Sequence, residues 1–343
     1  MASHSVRLMR VGLGSGAALA AAAALALALY AAGCGGSGDQ TGVKEIRLAH
    51  VLNDKHPVHK ALVRMAELVS AKTGGRLVID IRHSAQLGSE KELIEKVQAG
   101  GIQMTKVSTT ALESNVADLG IFSLPFLFRD ERHYWQVLEG PIGEAFLAKV
   151  EAMGLKGLIY YDAGARSFYS KNPITGLESL KGLKVRVQQS PTMLETMTVL
   201  GAIPVGIPFG PELTLQLEKG ERVSAAENNA PSYWTEGHYK SCPYYYLDEH
   251  GRVPDILLVN LKAWNSLAPG EQKALADAAR QSVAFERPLW REETERLYGL
   301  LENEGVKITR GVDAAPFIRA VQPVYDRLPP ERKALVERIR AVQ

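Results

Sequence analysis

Two arginines stand where a fixed positive charge calls for a partner. Arg186 lies in Leu183-Lys184-Val185-Arg186-Val187-Gln188, an alternating stretch in which an apolar residue would otherwise face inward. Arg166 follows a strand read at 157–162. A guanidinium is permanently charged and presents a planar fork that fits a carboxylate through two parallel hydrogen bonds. The pair therefore points to recognition of an organic acid, with an ordinary ion pair or a solvated sheet edge as the plainer alternative for each. Neither arginine supplies an activated nucleophile or a paired acid and base. The sequence has no Gly-x-Ser-x-Gly elbow, phosphate-binding loop or zinc spacing, so no catalytic residue and no cofactor are expected. His56 and His59 lack a third ligand at an informative spacing. His56 reads as a helix-start or ligand-contacting residue, and no metal is expected. Cys242, beside Pro243, reads as a small apolar residue rather than a nucleophile.

These residues need elements that bring them together. Residues 46–51 alternate as a strand does, and Asp54 and Pro57 open a helix that Gly74-Gly75 stops after Thr73. A second strand is read at 77–81. Ser89 is an N-cap for a helix holding Leu93, Ile94 and Val97, with Glu92 completing a capping box. A third strand spans 104–108. Strand, helix, strand, helix, strand is the grammar of a parallel sheet with crossover helices. It returns with strands at 157–162, 184–187 and 223–228, helices at 191–200 and 212–218, and strands at 244–248 and 256–260. From Glu271 to about Glu304 the chain reads as helix, with Pro288 expected to kink it. Trp264 and Trp290 read as packing residues. The fold class is α/β with two lobes and a ligand cleft between them. Lobe I is expected from 44–163 and 254–295, and lobe II from 164–253 and 296–343. Ligands in such sheets sit beyond the carboxyl ends of the strands.

The N-terminus predicts export. Arg7 and Arg10 precede an apolar, Ala-rich run at 11–30, and Ala31-Ala32-Gly33 precedes Cys34. A basic start, an apolar middle and small residues before a cleavage point read as a signal peptide over 1–33. The run is long enough to span a bilayer uncleaved, but Gly12, Gly14, Ser15 and Gly16 weaken that alternative. Cys34 stands as in a lipobox, with Ala31 where Leu is usual, so it is the expected lipidation site and 34–43 a flexible tether. The expected product is a monomer, lipid-anchored on the extracytoplasmic face of a membrane. With only Cys34 and Cys242 in 343 residues, no internal disulfide is available and the core must hold the fold. Losing Arg7 and Arg10 with the leader brings the 40 basic residues level with the 38 acidic ones. That balance argues against nucleic acid as a partner.

Several ordered motifs then carry a resemblance. Ala85-Gln86-Leu87-Gly88-Ser89-Glu90, Ser123-Leu124-Pro125-Phe126-Leu127-Phe128-Arg129-Asp130 and Gly182-Leu183-Lys184-Val185-Arg186-Val187 are three of them. Pro208-Phe209-Gly210-Pro211-Glu212-Leu213 and Ala226-Glu227-Asn228-Asn229 are two more. Through nearly the whole mature chain the sequence resembles the DctP-type substrate-binding proteins of tripartite ATP-independent periplasmic (TRAP) transporters. The resemblance implies two lobes closing on a ligand around a hinge, bridged by a long helix, with the transporter's membrane subunits as partners. It implies Arg186 as the main carboxylate clamp, Arg166 as a second cationic contact and Asn228 as an amide on the same carboxylate. Phe209 would pack on the ligand, and Glu90 would reach it from the opposite lobe. One departure stands out. The segment Gly220-Glu221-Arg222-Val223-Ser224-Ala225-Ala226 is one residue longer than the family pattern and lacks its Asp, which bears on the aim of Asn228. Arg132-His133-Tyr134-Trp135, Tyr160-Tyr161-Asp162-Ala163-Gly164, Glu227-Asn228-Asn229 and Leu247-Asp248-Glu249-His250 together look like members that bind sugar acids, particularly hexuronates. Gln86, Lys106, Ser108, Asn228 and His250 could then meet hydroxyls. A C4-dicarboxylate or other hydroxy acid is the alternative ligand. An adaptor for a sensor kinase and a periplasmic sugar-acid enzyme are the alternative functions.

Overall fold

The computed structural model describes residues 42–343. The expected signal peptide, the Cys34 modification and the tether as far as residue 41 lie outside the described residues.

The chain opens with β1 (Lys44–Ala49), α1 (Pro57–Thr73), β2 (Leu77–Arg82), α2 (Glu90–Ala99) and β3 (Met104–Ser108). His56 caps α1 by accepting the Val58 amide, and Ser89 and Glu92 close a reciprocal capping box on α2. Two short 3-10 segments (Thr109–Leu112 and Ala117–Ser123) lead to α3 (Glu131–Leu138), α4 (Pro141–Lys149) and β4 (Leu155–Tyr161). A crossing at 162–165 then carries the chain to β5 (Arg166–Ser170), β6 (Lys184–Val187), α5 (Pro191–Val199) and β7 (Ile203–Gly206). After these come α6 (Pro211–Lys219), β8 (Ala225–Asn228), α7 (Ala230–Thr235) and β9 (Tyr244–Gly251). A second crossing, at 252–254, returns to β10 (Asp255–Asn260), α8 (Leu261–Asn265) and the long α9 (Pro269–Asn303). The chain finishes with β11 (Lys307–Thr309), α10 (Ala315–Ala320), α11 (Gln322–Asp326) and α12 (Pro330–Arg340).

The described residues form two sheets, one per lobe. In the first the order is β2-β1-β3-β10-β4, and in the second β11-β9-β5-β8-β6-β7. The parallel grammar of the sequence holds for β1 with β2 and β3, and for β6 with β7 and β8. It fails where the chain crosses between lobes. There β10 runs antiparallel between β3 and β4, and β5 runs antiparallel between β8 and β9. A strand that re-enters a sheet from the other lobe arrives from the opposite end, so its direction is reversed.

Helix α9 packs on α1 and β4 of the first lobe and on α7 and β11 of the second. It runs unbroken through Pro288. Its Trp290 joins the first lobe's core beneath the first crossing. Gly164 there has φ 60°, and a Cβ would come 2.8 Å from the Trp290 ring, so this turn requires glycine. Trp264 is partly buried against the same core.

The chain's end departs from the expectation that 296–343 belongs wholly to lobe II. Phe317 and Val321 do pack in the second lobe, but Val324, Tyr325, Val336 and Ile339 join the first lobe's core. Tyr325 donates to the Pro125 carbonyl at 2.6 Å, and His133 Nε2 bonds the Ile339 carbonyl at 2.8 Å. The apolar sides of α11 and α12 thus cover the first lobe beside α3. The lobes also touch at the cleft. Glu113, just past β3, accepts hydroxyl hydrogen bonds from Ser190 and Thr192 at the start of α5. His56 Nε2 lies 3.3 Å from the Ser232 hydroxyl.

Candidate functional site

The cleft between the sheets has two compartments. The outer one, ≈ 230 Å³, lies between Glu90, Thr110 and Asn115 of the first lobe and Arg186, Gln188 and Phe209 of the second. The inner one, ≈ 30 Å³, is walled by His56, Lys106, Ser108 and Asp255 on one side and Arg166, Asn228, Asn229 and Ser232 on the other. Glu90, Gln188 and Phe209 border both.

Arg186 is the exceptional group. It is fully buried on β6. Its Nε donates to the Ile207 carbonyl at 2.8 Å, but Nη1 and Nη2 find no partner among the described residues. Burial lowers its pKa to about 10, which still leaves it charged at neutral pH. Buried charges are normally paired, whereas this fork borders the outer compartment with both terminal nitrogens unpaired among the described residues. The Phe209 ring lies 6.0 Å from its Cζ and walls the same space.

Arg166 is held differently. Its Nε donates to Glu227 Oε2 at 2.5 Å, and Nη2 donates to Glu227 Oε1 at 2.9 Å and to the Glu227 carbonyl at 3.0 Å. Nη1 donates to Asn228 Oδ1 at 3.0 Å. Four of its five N–H groups are committed within the protein, so one remains for the inner compartment. Burial alone would raise the Glu227 pKa, but Arg166 and His250 bring it down to about 2. Asn228 Oδ1 also accepts the Asn229 amide at 2.9 Å, which turns its amide nitrogen into the free end. Asn228 pairs in register with Ser167 on β5.

Across the cleft, Lys106 is buried between two acids, 2.8 Å from Asp255 Oδ2 and 3.9 Å from Glu90 Oε1. Glu90 also accepts the Ser108 amide at 2.9 Å. Its pKa is raised by burial and restrained by Lys106. Ser108 Oγ shares a hydrogen bond with Thr110 at 2.8 Å. Burial, reinforced by Lys106, holds His56 well below its ordinary value and so neutral.

Two nominated residues stand apart. His250 sits behind the Arg166–Glu227 pair rather than on either compartment's wall, bonded to Asp248 at 2.9 Å and stacked on Phe168. Gln86 is exposed in the turn before α2 and borders neither compartment. His59 turns to His50, with 3.1 Å between ring nitrogens, rather than converging with His56. Cys242 is buried in the second lobe, where burial pushes its thiol up to about 12.

Sequence reasoning missed Gln188, Asp255, Asn229, Ser232 and the role of Glu227. Gln188 follows Arg186 by two positions, the spacing that keeps a strand's side chains on one face. Glu227 adjoins Asn228. Those two signals were present. Nothing local marks Asp255 or Ser232, because their proximity depends on the crossings.

A buried guanidinium fork, unpaired among the described residues, at a cleft between two α/β lobes is the arrangement of a receptor for a small organic acid. The family of bacterial extracellular solute-binding proteins, family 7 (DctP), matches residues 48–330. The chain is 36% identical over 303 residues to an uncharacterised protein of Salmonella typhimurium, covering 87% of this chain and 91% of that one. A TRAP periplasmic solute-binding protein from Xanthobacter autotrophicus, with bound β-D-galacturonate, is 39% identical with a TM-score of 0.83. The match covers 87% of this chain and 100% of that one. Another from Pseudomonas putida F1, with bound D-glucuronate, is 32% identical with a TM-score of 0.84, covering 88% and 98%. The chain belongs to the DctP family of TRAP solute receptors. It is an extracytoplasmic binding protein for a transporter, not an enzyme.

Proposed function

We propose that this receptor binds a hexuronate, galacturonate or glucuronate, and delivers it to TRAP membrane subunits. The unpaired Nη1 and Nη2 of Arg186 carry the reading, because a carboxylate is the group that fits a buried guanidinium fork. The surrounding amides, hydroxyls and the Glu90–Lys106–Asp255 cluster suit the hydroxyls of a sugar ring. The outer compartment, ≈ 230 Å³, falls below the roughly 300–1,000 Å³ usual for drug-sized ligands, as a single sugar acid requires. The two uronate-bound relatives are consistent with this choice. In this reading 1–33 is removed on export, Cys34 carries the lipid, lobe I comprises 44–163 and 254–295 together with the last two helices, and the receptor acts as a monomer.

Calorimetry tests the ligand. D-galacturonate or D-glucuronate should bind, and D-galactose and D-glucose should not. A neutral sugar leaves Arg186 buried and unpaired, at a cost of about 2–5 kcal/mol. Tight binding of succinate with indifference to both uronates would overturn the assignment.

A further inference from the structure

Gln188 lies just past β6, two positions beyond Arg186, and borders both compartments of the cleft. Its Oε1 is buried and has no partner among the described residues. An orphaned carbonyl oxygen costs stability until a donor reaches it. The Cα atoms of Arg186 and Gln188 are roughly 7 Å apart along a strand, and both side chains are long enough to converge on neighbouring groups of one small molecule. Arg186 demands an acceptor with negative charge. Beside it, a side-chain amide is best met by a hydroxyl, which can both donate and accept and so satisfies the amide with either end forward.

We infer that Gln188 is a specificity-determining residue that reads a ligand hydroxyl within two carbons of the carboxylate held by Arg186. The inference rests on the reading that Arg186 holds a carboxylate, but not on that acid being a hexuronate. It predicts discrimination against acids that carry the carboxylate alone. An acid without the hydroxyl fills Arg186 and leaves the Gln188 oxygen stranded, whereas a hydroxylated acid satisfies both.

Calorimetry on the wild type and on Gln188→Met, which keeps length but removes the amide, tests this with two ligand pairs. These are D-galacturonate with its 4-deoxy analogue, and L-malate with succinate. In at least one pair the wild type should prefer the hydroxylated acid by about tenfold or more, and Gln188→Met should abolish the preference. Gln188→Glu should weaken both members, because its carboxylate would occupy Arg186 itself. Loss of the malate preference in the variant, with no galacturonate binding by the wild type, would support Gln188 while removing the hexuronate assignment. A preference that survives Gln188→Met, an equal loss for both members, or no wild-type preference in either pair would overturn the inference.

Discussion

Substituting Arg186 should separate binding from stability in opposite directions. In Arg186→Lys one ammonium must choose between the Ile207 carbonyl, now 2.8 Å from Nε, and the ligand. At least one charge-assisted hydrogen bond is lost, about 1.5–3 kcal/mol. The group left unpaired brings the total to about 2–4 kcal/mol, a fall in affinity of roughly 30- to 1,000-fold. Arg186→Met goes further by removing the charge. Ligand-induced stabilisation should vanish, yet the ligand-free protein should gain about 1 kcal/mol or more, because two buried nitrogens with no partner among the described residues, Nη1 and Nη2, disappear. Calorimetry gives the affinities, and urea denaturation without ligand gives the stabilities. Full affinity in Arg186→Lys would show that the carboxylate sits elsewhere. A ligand-free Arg186→Met protein several kcal/mol less stable than wild type would show that the fork serves the fold and not a ligand.

Stability should also depend on pH through His250. Burial opposes its charge, but Asp248 and Glu227 raise its pKa to about 9. Its contribution is full below its unfolded value, near 6.5, and is lost as pH rises through about 9. The thermal midpoint should fall over that window in wild type and stay flat in His250→Asn; a flat wild-type profile would refute the charge assignment. Glu227 acts in the opposite sense, with its contribution present above the ordinary carboxyl range and lost as pH falls toward about 2. Glu113→Gln should weaken every ligand by a common factor of roughly 3–30, since its contacts with Ser190 and Thr192 join the lobes without touching the cargo. Ligand-dependent losses in calorimetry would count against that role. Cys34→Ala should abolish fatty-acid labelling of the full chain, and persistent labelling would dismiss the proposed anchor.

The legible part of this protein was the part set by local rules. Alternation marked β1 and β6, and the Ser89–Glu92 spacing marked the start of α2, because a cap or a strand face is decided within a few residues. Arg186 stood out because its charge contradicted its own strand. The pairing of Arg166 with Glu227 was harder to see. The two are distant in sequence and are brought together by the antiparallel pairing of β5 with β8, which no local periodicity encodes. Lys106 was legible only as a candidate ligand contact; its acidic partner was not, because Asp255 reaches it when β10 arrives beside β3. The helices after residue 314 were not read from the sequence at all; the residues beyond about 304 were only assigned to lobe II. Which lobe covers them is a property of the assembled surface.

The return of β10 and α12 to the first lobe bears on how the protein is made. That lobe's sheet lacks its inner strand until residue 260 has been synthesised, and its core is not complete until Ile339. The first lobe therefore cannot close its core early, and the contacts that finish it span most of the sequence. Such long-range closure is slow, because loop entropy is spent before the contacts form. A nascent chain of this design stays pliable until it is almost whole, which suits passage through a narrow secretion channel before folding. Chains ending at residue 254 should show no protected amides in β1 or β3 by hydrogen exchange. Native-like protection there would mean that the first lobe can assemble without its last-made strand.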